Sequence, residues 1–231
     1  MISRAIEDYL KVIYQLGAAK AVTTSALADA LAISDASATN MIKKLAEMKL
    51  ARHSPYHGVE LTKAGEKIAL EVIRHHRLIE TFLAEALGVP WDRVHAEAEK
   101  IEHVISEDLE ERIANFLGNP TQDPHGDPIP TKALEIKTAP SATLADIAPG
   151  ESARIQRVGN QDPAHLRHFS NIGIVPNATV NILDREPFHG PLRVRADNGK
   201  ESVLDESTAR TIQVTAFPRK DAKTAKKNRK S

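Results

Sequence analysis

The sequence predicts a mainly α chain with a C-terminal β module, on three observations. Apolar residues recur at helical spacing through the first half, beginning with Ile6, Leu10, Ile13 and Tyr14. Pro120, Pro124, Pro128, Pro130 and Pro140 then crowd the stretch 119–140, which marks a domain boundary or an extended crossover. Beyond it, short β-rich runs alternate with turn signals. At 231 residues and 41% hydrophobic content, the chain can build cores for one large or two small domains.

The first helix is expected from about Ser3 to Leu16, with Asp8 near the edge of its buried face. Thr24 is expected to cap a short helix, SALADALA, and Ala32-Ile33 to turn tightly into Ser34, a good cap for a helix from Asp35 to Met48. Two helices joined by so short a turn form a helix-turn-helix. The second exposes Ser34, Ala36, Ser37, Thr39 and Asn40 near its start, with Lys43 and Lys44 further along. Small hydroxyl and amide groups at that end can reach base edges and lysines can reach phosphates, so double-stranded DNA is the expected partner. LARHSPYHGVELT reads as two strands around a Pro-Tyr-His-Gly turn, the wing of a winged helix-turn-helix, with Arg52 and His53 placed along the DNA backbone.

Thr62 is expected to cap a long helix, Lys63 to about Leu87, closed by Gly88. A helix from Trp91 to Ile105 follows, and Ser106 caps another, Glu107 to Leu117. Three helices after a winged domain suggest a helical dimerisation domain. ESARIQRVG, ATVNILDRE, PLRVRADNG, ESVLD and ARTIQV read as strands of a small barrel. DPAHLRHFSNIG between the first two reads as one or two helical turns, with Asp162 and His165 on one face, and Asp162 before Pro163 equally suits a helix cap. The stretch 217–231 carries a net charge of +6 and so leaves −6 on the rest of a formally neutral chain. Such a basic, weakly hydrophobic tail is expected to be disordered.

The run DRVHAEAEKIEHVISE holds the densest chemistry. His95, Glu99, Glu102 and His103 fall on one helical stripe, beside an apolar stripe of Val94, Ala98, Ile101 and Ile105. In RHHRLIETFL, His76 and Glu80 lie one above the other. Imidazole and carboxylate without thiol form the ligand set of Mn²⁺, Fe²⁺ or Zn²⁺ sites; the alternative is solvated polar faces on structural helices. The absence of cysteine excludes disulfides and thiolate sites. There is no His-Glu-x-x-His run, Gly-rich phosphate loop or nucleophile signature, so no catalytic role is expected. A metal-independent DNA-binding or scaffold protein stays open. No apolar run approaches the ~18 residues that span a bilayer, and the N-terminus lacks a signal-peptide core. The expected location is the cytoplasm, without a membrane partner.

AIEDYLKVIYQL, the helix-turn-helix, LTKAGEKIA, RHHRLIETFL, VHAEAEKIEHVISEDLEERI and GDPIP together resemble the diphtheria-toxin-repressor family of metal-dependent transcriptional repressors, which includes the manganese transport regulators. The resemblance covers about residues 3 to 140, and the last module looks like the SH3-like, ferrous-transport-A-like β-barrel of longer members. It implies a DNA-binding domain over 1–73, a metal-binding and dimerisation domain with its proline-rich crossover over 74–140, a barrel over 141–216 and a tail over 217–231. It further implies a regulatory metal site of Asp8, Glu99, Glu102 and His103, and an ancillary site of His76, Glu80 and His95 with Asp162 and His165 from the barrel. In the iron-sensing branch the positions of Asp8 and Glu99 carry Met and Cys. Two carboxylates match the manganese branch and suit Mn²⁺, with Fe²⁺ as the alternative and Zn²⁺, Co²⁺ or Ni²⁺ as substitutes. Short manganese regulators carry an acid where this chain has Lys11, so their binuclear arrangement is not expected. The implied function is repression of metal-uptake genes by a homodimer on a palindromic operator, without a small-molecule substrate.

Overall fold

The computed structural model describes residues 2–17, 21–54, 57–136, 142–159, 161–188 and 190–217. Pro55 and Tyr56 of the expected wing turn, and the expected basic tail from 218 onward, lie outside the described residues. The chain forms two compact units: residues up to Asp123 with 128–136, and Pro124–Asp127 with 142–217.

The first unit contains α1 (Arg4–Leu16), α2 (Thr24–Ala30), α3 (Asp35–Glu47), β1 (Ala51–Ser54), β2 (Gly58–Leu61), α4 (Lys63–Leu87), α5 (Val94–Ile101) and α6 (Glu107–Phe116). Thr23, rather than Thr24, caps α2, because its extended backbone lets the side chain accept from the Ala26 amide. Ala32 takes a left-handed φ of 53° in the tight turn, and Ser34 then caps α3 by accepting from Ser37 N–H. α3 buries Ala38, Ile42 and Leu45; the latter two share a core with Ile6, Leu10 and Ile13 of α1 and with Leu27 and Val59. β1 and β2 pair antiparallel with Arg52 opposite Glu60, and Val22 adds a bridge to Val59.

Thr62 ties the wing to α4: its hydroxyl donates to the Lys49 carbonyl at 2.8 Å and accepts from Gly65 N–H. Gly65 lies so close to the Leu50 carbonyl that a Cβ there would sit 2.1 Å from its oxygen. α4 runs unbroken to Gly88, whose left-handed φ of 65° ends it. The expected boundary between residues 73 and 74 therefore falls inside one helix. α5 is shorter than expected and stops at Ile101. Ser106 must be extended to cap α6, so the chain leaves the helix early through a tight Val104 N–H to Ile101 carbonyl bond. Leu78, Ile113, Ala114 and Ile129 form a second core of this unit. Arg74 donates to the Pro130 carbonyl at 2.6 Å and Arg77 to that of Pro128 at 2.5 Å, satisfying backbone acceptors of the proline-rich segment.

The second unit is a six-stranded antiparallel sheet in the order β3 (Ala142–Thr143), β8 (Ile212–Ala216), β4 (Ser152–Val158), β5 (Thr179–Arg185), β6 (Leu192–Ala196), β7 (Glu201–Leu204). Along β6, Leu192, Val194 and Ala196 point inward while Arg193 and Arg195 are exposed, the alternation of a sheet with one covered face. α7 (Pro163–Ile172) is longer than the one or two turns expected. The expected strand ARTIQV is half helix: Asp205 caps α8 (Glu206–Thr211) by accepting from Thr208 N–H, and β8 starts only at Ile212. The fold is thus mainly α with a C-terminal SH3-like β module. Among the described residues, no helix is long and apolar enough to cross a membrane.

Candidate metal centre and nucleic-acid face

Helix α1 and the turn after α5 bring Asp8, Glu102 and His103 together, with ligand atoms all within 4.8 Å of one another. His103 Nε2 is 2.9 Å from Asp8 Oδ1 and 3.2 Å from Glu102 Oε1. The other ring nitrogen, Nδ1, meets Glu7 Oε2 at 2.6 Å. Glu7 is absent from the sequence expectation; the available signal was only its position beside Asp8. Its contact has a recognisable chemistry, since a carboxylate on one imidazole nitrogen directs the other toward a metal.

A second group joins His76 and Glu80 of α4 to His95 of α5, again within 4.8 Å. His76 Nε2 is 2.9 Å from both Glu80 Oε1 and His95 Nδ1. His76 Nδ1 is hydrogen-bonded to Glu102 Oε2. Glu102, 1% exposed, therefore faces one group with each carboxylate oxygen. His75 braces this arrangement, 3.3 Å from the Glu102 carbonyl and 3.0 Å from Glu110 Oε2 on α6.

Glu99 lies apart from the Asp8 triad. Its Oε1 is 3.4 Å from His95 Nε2 and 4.0 Å from Lys11 Nζ. Asp162 and His165 belong to the second unit, where Asp162 caps α7 by accepting from the amides of Ala164 and His165. The His165 ring Nδ1 is 3.1 Å from the same Asp162 oxygen.

Protonation follows these contacts. Hydrogen bonds that His95 donates to Glu80 and then Glu99 raise its pKa to about 9, and the bond from His95 holds Glu99 down at about 2. Burial disfavours the charged form of His76, but Glu102 and Glu80 outweigh it and raise its pKa. Burial likewise opposes ionised Glu102, yet His76 and Lys11 lower its pKa. The donors fit a divalent cation: both groups converge imidazole and carboxylate at short range, a set suited to Mn²⁺, Fe²⁺ or Zn²⁺. In the first, Asp8, Glu102 and His103 would hold it; in the second, His76, Glu80 and His95.

Ser34 at the cap of α3, and Ala36, Ser37, Asn40, Lys43 and Lys44 on it, are exposed, and Thr39 is half-buried. The Ser34 hydroxyl is engaged as the cap and lies 2.9 Å from that of Ser37. Arg52 and His53 are exposed on the wing.

Three family models match in succession. They are the iron-dependent repressor N-terminal DNA-binding domain over residues 1–59, the iron-dependent repressor metal-binding and dimerisation domain over 62–131, and the FeoA domain over 142–216. The iron-dependent repressor IdeR of Mycobacterium leprae is 33% identical over 193 residues, covering 76% of this chain and 82% of that one. The diphtheria toxin repressor of Corynebacterium glutamicum is 34% identical over 219 residues, covering 90% and 94%. Among solved structures, a manganese-dependent transcriptional repressor in complex with manganese is 38% identical with a TM-score of 0.83, covering 92% of this chain and 100% of that one. With consecutive matches to the DNA-binding and metal-binding domains, and relatives aligned over most of their length, the chain belongs to the diphtheria-toxin-repressor family of metal-dependent transcriptional repressors.

Proposed function

We propose that this repressor is activated by Mn²⁺ and acts in the cytoplasm as a homodimer that binds a palindromic operator and represses metal-uptake genes. The observation that carries this reading is the Asp8, Glu102, His103 group, because Asp8 belongs to α1 of the DNA-binding part and the other two to the turn joining α5 to α6. A cation bound there supplies the charge that relieves carboxylate repulsion and ties the two parts together. An arrangement that binds metal better is populated by metal, and DNA binding follows if that arrangement presents α3 correctly.

Manganese is favoured over iron by the hard donors at Asp8 and Glu99 and by the likeness to a solved manganese-bound repressor. Glu99 completes the regulatory set in this reading, while His76, Glu80 and His95 form the ancillary one. Asn40, Ser37 and Thr39 face base edges, with Lys43, Lys44 and Arg52 on phosphates. The matched dimerisation domain leaves Leu87, Val104, Leu109 and Phe116 exposed, apolar area that a second copy can cover. A two-fold dimer reads a two-fold operator.

The test is operator binding by the full chain, titrated with Mn²⁺, Fe²⁺, Zn²⁺ or a chelator, with light scattering for oligomeric state. Metal-dependent binding of a dimer, with the best response to Mn²⁺, is the expected result. Equal operator affinity in chelator and in Mn²⁺ overturns it.

A further inference from the structure

Lysine is among the residues least often buried unless it is paired, yet Lys11 of α1 is only 7% exposed. Its Nζ lies 2.5 Å from Glu102 Oε1 and 4.0 Å from Glu99 Oε1. The Glu102 oxygen it contacts also faces His103 Nε2 at 3.2 Å. One ammonium thus stands between the two glutamates assigned above to the regulatory ion, on the same face of α1 as Asp8, three residues away.

We propose that Lys11 is a tethered counter-cation of the regulatory site, holding Glu102 and Glu99 in the metal-free protein, so that a divalent ion acquires these carboxylates only in competition with it. The inference rests on the reading that Asp8, Glu102 and His103 take a divalent ion. A buried carboxylate without a compensating charge is strongly unfavourable; His76 meets one oxygen of Glu102, and Lys11 supplies a full positive charge at the other when no metal does. The same charge opposes entry of a second positive ion, because like charges a few ångströms apart in a partly desolvated site repel strongly. Lys11 therefore sets the metal concentration at which the repressor responds. Its position beside Glu99 also accounts for the separation of that carboxylate from the Asp8 triad: the lysine and His95 hold it.

Removing the charge while keeping a polar side chain separates this role from a supporting one. Mn²⁺ binding is measured by calorimetry, and by loss of the free-ion electron paramagnetic resonance signal, on the full chain and on Lys11→Gln, Lys11→Arg and Asp8→Ala. The expected result is Mn²⁺ affinity about tenfold or more tighter in Lys11→Gln, near-parental affinity in Lys11→Arg, and a lower melting temperature for Lys11→Gln than for the parent in chelator. If Lys11→Gln does not fold, Lys11→Met keeps the apolar stem and takes the same test. Unchanged or weaker Mn²⁺ binding in the uncharged variant overturns the proposal, since Lys11 then supports the ligands instead of competing for them. Failure of the underlying reading looks different: the parent binds no Mn²⁺, or Asp8→Ala binds it as the parent does.

Discussion

The sharpest expectations concern single side chains. Asn40 is exposed on α3, so Asn40→Ala should weaken operator binding by about 1–3 kcal/mol and relax specificity at one position, whereas Lys44→Ala should weaken all sequences alike. Competition assays with specific and random duplexes distinguish them; an unchanged specificity ratio for Asn40→Ala removes that amide from base readout. Glu7→Gln should weaken Mn²⁺ binding by about 10- to 100-fold, as loss of a carboxylate behind a ligating imidazole does, and calorimetry reads it directly. The contacts of His95 with Glu80 and Glu99 give a pH prediction. His95 is raised from 6.5 to about 9, so its contribution to stability is complete below about 6.5 and is lost as pH rises through about 9. Glu99 is lowered from 4.5 to about 2, so its contribution is complete above about 4.5 and is lost as pH falls through about 2. In chelator, these contacts should stabilise the protein most between those windows, and the gap between denaturation curves at pH 5.5 and 9 should narrow in a His95→Ala variant while His75 and His76, also raised, keep part of it.

At the scale of elements, legibility depended on whether the decisive contact is local. The spacing of His76 and Glu80 on α4 was readable, because residues four apart on a helix meet whatever packs against them. Likewise Ser34, Thr62 and Ser106 were readable as caps, and Gly88 as a terminator. Thr23 was not, since adjacent threonines compete for one role and only the backbone φ and ψ choose between them. The helix in ARTIQV was hidden because β-branched residues flank it and its cap, Asp205, lies upstream. Glu7 was illegible as part of the site, as its partner comes from the turn after α5, a contact that no periodicity within α1 encodes. Lys11 was legible only through the resemblance, at a position where short manganese regulators carry an acid, and its pairing with Glu102 of that turn was not. Asp162 shows a residue with two legible roles. As the cap of α7, Asp162→Ala should lower the stability of the C-terminal module by about 1 kcal/mol, measured by chemical denaturation in chelator, where ligation plays no part.

For the whole molecule, metal acts as a ligand of the folded state. At about a hundred times its dissociation constant, Mn²⁺ should add roughly 2.7 kcal/mol to stability, and melting temperature should rise with Mn²⁺ concentration and fall when a chelator is added. A melting curve indifferent to Mn²⁺ contradicts a folded-state site.

Glu102 presents one oxygen to His76 and the other to His103 and Lys11. If each group takes a cation as proposed, a carboxylate shared in this way makes the two centres thermodynamically dependent. Filling one changes the proton and hydrogen-bond inventory of the other, and by linkage the reverse holds to the same degree. Promoter output against metal concentration then need not follow a one-site hyperbola. A double-mutant cycle of His76→Ala with Asp8→Ala should return a non-zero interaction term in Mn²⁺ binding, carried by Glu102, which neither mutation replaces.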